Sequence, residues 1–168
     1  MKNVILIGMP GAGKSTVGVV LAKRLGYTFL DSDLVIQQKY GRLLHELISE
    51  HGVEGFWKIE NDVNAGLTCD RTVIATGGSA IYGKEAMEHL RSMGTVVYLR
   101  LTLEQIAERL GDLTERGVTL REGQDLKALY EERTPFYEKY AHVIIDCDGQ
   151  RVRELVARIA QQVGGKQR

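Results

Sequence analysis

The residues at 8–16 carry the clearest chemical signal in the chain, because they read G-M-P-G-A-G-K-S-T and complete the pattern G-x-x-x-x-G-K-[S/T]. Glycines let successive backbone N–H groups point inward with no Cβ in the way, so such a loop wraps a polyphosphate. Lys14 adds a positive charge for the β- and γ-phosphates, and the Ser15 hydroxyl is suited to ligate Mg²⁺. The stretch predicts a nucleoside triphosphate site, with a surface turn as the alternative. The predicted nucleotide-binding residues here are Gly11, Ala12, Gly13, Lys14, Ser15 and Thr16.

Two carboxylates form a second candidate site where the predicted strand at 27–31 ends. Asp31 and Asp33 follow its apolar residues directly. Ligands of open α/β sheets bind at the carboxyl ends of the strands, so this pair is expected to face the phosphate loop. The alternative is that Ser32 or Asp33 only caps a helix beginning at Leu34.

A glycine turn follows the next predicted strand, at 72–75. It reads T-G-G-S, and Gly77 and Gly78 would bring bare backbone N–H groups close to a ligand at the same sheet edge. An ordinary tight turn is the alternative.

The polar stretch at about 110–124 is predicted to be a lid. Apolar periodicity lapses there, while Arg109, Arg116 and Arg121 bring positive charge. Closing lids of this kind exclude water and neutralise a transferred phosphoryl group. A solvated surface loop is the alternative.

The elements that must position these residues alternate regularly. Apolar strands are predicted at 4–7, 27–31, 72–75, 95–99 and 142–146, each followed by a helical pattern. This predicts an α/β fold of three layers, a doubly wound sheet of five parallel strands in a single domain spanning 1–168. Glycines at 41, 52 and 55 break the insertion at about 34–67 into two or three short helices, and Pro135 is expected to kink or restart a later helix.

Composition excludes several classes of partner. The 22 basic and 22 acidic residues balance, so no global field favours nucleic acid. We expect no signal peptide and no membrane span, hence a cytoplasmic protein, and we expect a monomer. Cys69 and Cys147 lack metal-binding spacing and are predicted to be free thiols.

Taken together, the motifs resemble the shikimate kinase family, within the nucleoside monophosphate kinase-like group of P-loop folds. The phosphate loop, the Asp-x-Asp pair, the segment G-F-W-K-I-E at 55–60 and the Thr-Gly-Gly turn occur in family order. The arginine-bearing lid and R-T-P-F-Y at 133–137 follow. The resemblance implies ATP- and Mg²⁺-dependent phosphoryl transfer to a hydroxyl of a small metabolite, with shikimate as first candidate.

The resemblance also implies residue roles. Asp31 would lie near the metal, and Asp33 would bind the acceptor hydroxyls and orient or deprotonate the attacking one. Arg116 would neutralise the transferred phosphoryl group, and Arg109 would flank adenine. Gly77 and Gly78 would contact the acceptor, and Arg133 would bind its carboxylate.

Three departures from the family pattern concern the acceptor. Ser79 replaces a third glycine, the usual lid segment Arg-Pro-Leu-Leu reads R-G-V-T-L at 116–120, and Trp57 replaces an arginine that holds the carboxylate. Lys58 is a candidate substitute, although one helical position turns it about 100° away. A kinase for homoserine or a sugar acid is therefore the alternative enzyme, and a nucleotide-dependent regulator is the alternative outside enzymes.

Overall fold

Five short strands form one parallel sheet in the order β2-β3-β1-β4-β5. The computed structural model describes residues 2–110 and 118–164. The strands are β1 (Asn3–Ile7), β2 (Thr28–Asp31), β3 (Thr72–Ala75), β4 (Gly94–Arg100) and β5 (Val143–Asp146).

Helices cover both faces of this sheet, so the predicted three-layer α/β fold is confirmed. In the described ranges they are α1 (Lys14–Leu25), α2 (Ser32–Tyr40), α3 (Leu44–Ala65), α4 (Lys84–Met93), α5 (Leu103–Arg109), α6 (Leu126–Tyr140) and α7 (Val152–Gly164), with a 3₁₀ turn at Ala80–Tyr82.

The centre of the core is β1, which lies between β3 and β4. Each of its five residues is buried, because a parallel sheet covered by helices has no solvent face. All the strands run in one direction, so their carboxyl ends share one edge. The loops that follow β1, β2 and β3 meet there.

The predicted helical insertion consists of α2 and α3. Gly41 ends α2 in the left-handed conformation (φ 63°), and α3 is interrupted at Gly52 (φ 74°), whereas Gly55 remains helical. The two helices enclose a small apolar cluster of their own: Ile36, Leu47, Phe56, Ile59 and Val63. This cluster holds α3 beside the carboxyl edge of the sheet, where Phe56 and Glu60 line a pocket.

The remaining predictions concern Pro135, the two cysteines, membrane helices and the lid. The helix α6 runs from Leu126 to Tyr140 with Pro135 inside it, so no restart occurs there. Both cysteines are free thiols. Across residues 2–110 and 118–164, no helix has the length and apolar character needed to cross a membrane. Residues 111–117 of the predicted lid, with Arg116, lie outside the described residues.

Candidate active site

A pocket of about 360 Å³ opens at the carboxyl edge of the sheet. It lies between the phosphate loop, the start of α2, the glycine turn after β3, and residues of α3 and α6. The predicted site residues that line it are Gly11, Gly13, Lys14, Ser15, Thr16, Asp33, Gly77, Gly78 and Arg133.

The phosphate loop owes its shape to glycines. Gly11 and Gly13 have φ values of 80° and 90°, which L-residues with a Cβ rarely adopt. Gly13 also caps α1, so the amino end of that helix, which favours anions, faces the pocket. This arrangement suits a polyphosphate.

Lys14 crosses the inside of the loop. Its Nζ donates to the carbonyl oxygens of Gly8 (2.6 Å) and Met9 (2.8 Å). Burial lowers the pKa of Lys14 to about 8, and the negative charge of Asp33 opposes that effect. The ammonium therefore remains largely charged at pH 7 and is held in a fixed position.

Asp31, and not Ser32 or Asp33, caps the next helix. Its Oδ1 accepts from the backbone N–H of Asp33 (2.9 Å), and α2 begins at Ser32, two residues before the predicted start. Its other oxygen, Oδ2, accepts from the Ser15 hydroxyl at 3.0 Å. A hydroxyl and a carboxylate so close together are the hard oxygen ligands that Mg²⁺ prefers, so these residues fit the predicted metal.

The side chain of Asp33 does not cap α2, and it lines the pocket. Burial raises its pKa to about 6; the nearby charge of Asp31 adds to the rise, and Lys14 opposes it. A Cβ at Gly77 would lie 2.7 Å from Asp33 Oδ1, so any larger residue there would force this carboxylate to shift. A carboxyl group with a pKa near neutrality suits proton transfer from a hydroxyl.

Glu60 is the main pocket residue to which the sequence analysis gave no role. It is 2% exposed, and the Ser79 hydroxyl donates to its Oε1 at 2.6 Å, while Oε2 is buried with no described partner. Burial raises the pKa of Glu60 to about 8, and the negative charge of Asp33 contributes further. The available signal was a glutamate among apolar residues on one helix face.

Arg133 is buried in the wall of the pocket at 1% exposure. Its Nη2 donates to both the carbonyl oxygen (3.1 Å) and Oγ1 (2.8 Å) of Thr119, and its Nε has no described partner. The turn beside it is fixed by Tyr137, whose hydroxyl donates to the carbonyl oxygen of Gly78 at 2.6 Å.

Trp57 lies behind this wall and does not line the pocket. Its ring stacks on Tyr82 with centroids 4.0 Å apart, and its Nε1–H donates to Thr119 Oγ1 at 3.0 Å. Lys58 is exposed and is not among the lining residues, so the structure does not bring it to the pocket. Arg109 lies against the outside of the phosphate loop, where its Nη1 donates to the carbonyl oxygens of Gly11 (3.3 Å) and Ala12 (3.4 Å).

Comparison with known proteins shows the family to which this chain is similar. The family model described as shikimate kinase matches residues 10–164. The shikimate kinase of Francisella tularensis subsp. novicida (strain U112) is 40% identical over 163 residues, covering 95% of this chain and 93% of that protein.

Two solved structures share the fold over nearly the whole chain. A shikimate kinase from Acinetobacter baumannii in complex with shikimate has a TM-score of 0.85 at 32% identity, covering 99% of this chain and 95% of that one. The shikimate kinase from Aquifex aeolicus has a TM-score of 0.84 at 32% identity, covering 98% and 97%.

Proposed function

The chain belongs to the shikimate kinase family, and on that basis we propose that it transfers the γ-phosphoryl group of ATP to a hydroxyl of shikimate. One observation carries the proposal: the buried Arg133 and Asp33 line the same pocket as Lys14. A guanidinium suits the carboxylate of such an acceptor, Asp33 suits its hydroxyls, and Lys14 suits the donor phosphates.

The donor side is assigned to the phosphate loop. Its backbone N–H groups and Lys14 hold the β- and γ-phosphates, and the anchored ammonium keeps that charge in place before the nucleotide arrives. Ser15 and Asp31, whose side chains are hydrogen-bonded to each other, would hold Mg²⁺. When bound there, Mg²⁺ supplies charge neutralisation for the phosphate oxygens.

The acceptor side is assigned to α2, the glycine turn and α6. Asp33 orients the attacking hydroxyl and accepts its proton. Its pKa, raised to about 6, lies near neutral pH, which suits this proton transfer. Gly77 and Gly78 present backbone amides to the acceptor, and Arg133 binds the carboxylate.

Two arginines complete the assignment. Arg109, at the end of α5, lies against the outside of the phosphate loop, a position from which it would flank the adenine. Arg116 keeps its predicted role at the transferred phosphoryl group on the family resemblance alone.

The other readings of the sequence are less favoured. The replacement of an arginine by Trp57 points to a homoserine or sugar-acid kinase, but family membership favours shikimate. Trp57 also lies behind the pocket wall and leaves Arg133 in the lining. A regulator that only binds nucleotide has no use for a buried Asp33 and Arg133 in a second subsite.

A coupled assay of ADP release tests the proposal. With Mg²⁺-ATP, the protein is expected to turn over shikimate and to leave homoserine and sugar acids untouched. Asp33→Asn keeps the size of the side chain and is expected to lower kcat by about 10²-fold or more, in the range of lost general-base catalysis. Absence of turnover with shikimate would overturn the assignment of the acceptor, and full activity in Asp33→Asn would overturn the role of Asp33.

A further inference from the structure

The hydroxyl of Thr119 occupies an unusual position between two donors. Trp57 Nε1–H reaches its Oγ1 at 3.0 Å from one element, and Arg133 Nη2 reaches it at 2.8 Å from another. Thr119 is 2% exposed, and it lines the pocket from within the predicted lid segment.

The two donors fix the direction of the hydroxyl hydrogen. A hydroxyl oxygen accepts through two lone pairs and donates one hydrogen. Because the indole and the guanidinium both donate to this oxygen, its own hydrogen is directed away from them, toward an acceptor elsewhere. Thr119 donates that hydrogen to no other residue within the described ranges. An acceptor brought into the pocket would be the partner it lacks.

The charges of the pocket indicate what that partner is. Among the described residues that line it, Lys14 and Arg133 are the cations, and Lys14 is held at the phosphate loop. Arg133 is therefore the cation available to a carboxylate at the far end. One of its nitrogens, Nη2, is already bonded to Thr119, so the hydroxyl lies directly beside the guanidinium.

We propose that the Thr119 hydroxyl, oriented by Trp57 and Arg133, donates its hydrogen to the carboxylate of the acceptor and makes the second contact with that group. The inference rests on the proposed function, because it takes a carboxylated acceptor as given. Trp57 is then a positioning residue: its indole N–H holds the hydroxyl in the orientation that a carboxylate requires, and it makes no contact with the acceptor itself.

The test compares affinities for shikimate and for its methyl ester, measured by titration calorimetry with a non-hydrolysable ATP analogue present. Thr119→Val removes the hydroxyl at constant shape, and it is expected to weaken shikimate binding about tenfold, as for a lost hydrogen bond to a charged group. The loss for the uncharged ester is expected to be about threefold or less. Thr119→Ser keeps a hydroxyl and is expected to recover most of the affinity.

Two further variants serve as a control and as an independent test of the same contact. Thr28→Val removes an exposed hydroxyl at the amino end of β2, far from the pocket edge, and is the matched control. Trp57→Phe keeps a ring on Tyr82 but removes the indole donor, and it is expected to weaken shikimate binding about threefold. If Thr119→Val lowers the melting temperature, Trp57→Phe and Thr119→Ser decide the question.

The outcomes separate this inference from the proposed function. No turnover of shikimate by the wild-type protein overturns both. The role of Thr119 alone is overturned if the wild-type protein turns over shikimate normally and Thr119→Val binds it with unchanged affinity. Where Thr119→Val is unstable, unchanged shikimate affinity in Trp57→Phe has the same consequence. Equal losses for shikimate and its ester also overturn it, because a contact to the carboxylate must distinguish them.

Discussion

Replacing Glu60 by glutamine is expected to remove a large part of the pH dependence of folding. Glu60 is buried beside another acidic residue, and burial first, then Asp33, raise its pKa to about 8 from an ordinary value of 4.5. The opposing influences are the hydrogen bond from Ser79 and the positive charges of Arg133 and Lys14. The folded protein thus keeps a proton on Glu60 at pH values where the unfolded chain has released it.

The sign of the effect follows from proton binding. Between the two pKa values the folded state binds more protons than the unfolded state, so the free energy of unfolding falls as pH rises. The contribution is complete below pH 4.5 and is lost as pH rises through about 8. At 1.36 kcal/mol per pKa unit, the loss between pH 5 and pH 8 is roughly 3 to 4 kcal/mol, an upper estimate because the protein can relax around the charge.

Urea denaturation of wild type and Glu60→Gln at pH 5, 6, 7 and 8 measures this difference. Glutamine keeps an acceptor for the Ser79 hydroxyl and carries no titrating group, so the variant is expected to gain relative stability steadily toward pH 8. Glu131→Gln, at an exposed position of α6, is the matched control for the change in net charge. Parallel pH profiles of wild type and Glu60→Gln would refute the argument that Glu60 is protonated in the folded protein.

Three further predictions concern catalysis and packing. Lys14→Met should lower kcat by about 10²-fold or more, because a fixed charge at the phosphates is lost; near-normal turnover in the ADP-release assay would contradict its role. Gly77→Ala should destabilise the protein by about 1–3 kcal/mol and raise the KM for shikimate, because the new Cβ would meet Asp33 Oδ1 at 2.7 Å and Glu60 Oε2 at 2.8 Å; urea denaturation and kinetics measure the two effects. Chelation of Mg²⁺ with EDTA should abolish turnover and readdition should restore it, and activity that persists in EDTA would exclude the metal requirement.

The fold was predictable because its signals are local and repeated. The apolar segments of β1, β3 and β4 are buried on both faces and read as short uninterrupted runs, and the glycine loop after β1 has a fixed spacing. Their order along the chain, together with the handedness of parallel crossovers, leaves few possible topologies. Glycine also predicted the break in α3, since Gly52 adopts a positive φ, but Gly55 has the same chemistry and stays helical. Composition alone does not separate those two positions.

The acceptor side was less predictable because its key contacts join distant parts of the chain. Glu60 owes its raised pKa to burial and to Asp33, and neither is visible from its neighbours in sequence. Lys58 adjoins Trp57 in sequence, yet a helix turns adjacent residues in different directions, and Lys58 faces solvent. The residue that caps α2 was not predictable for a similar reason: Asp31, Ser32 and Asp33 are all good caps, and only the backbone geometry selects Asp31.

The departures from the family pattern have one property in common. Trp57 replaces an arginine and donates to Thr119, which itself occupies a changed lid position; Ser79 replaces a glycine and donates to Glu60. Trp57 and Ser79 thus each supply a neutral hydrogen-bond donor to a residue that lines the pocket. Burial favours a protonated Glu60, and the Thr119 hydroxyl lies directly beside Arg133. These changes therefore alter neutral contacts at one side of the pocket, while the phosphate loop, Asp33 and Arg133 remain in its lining.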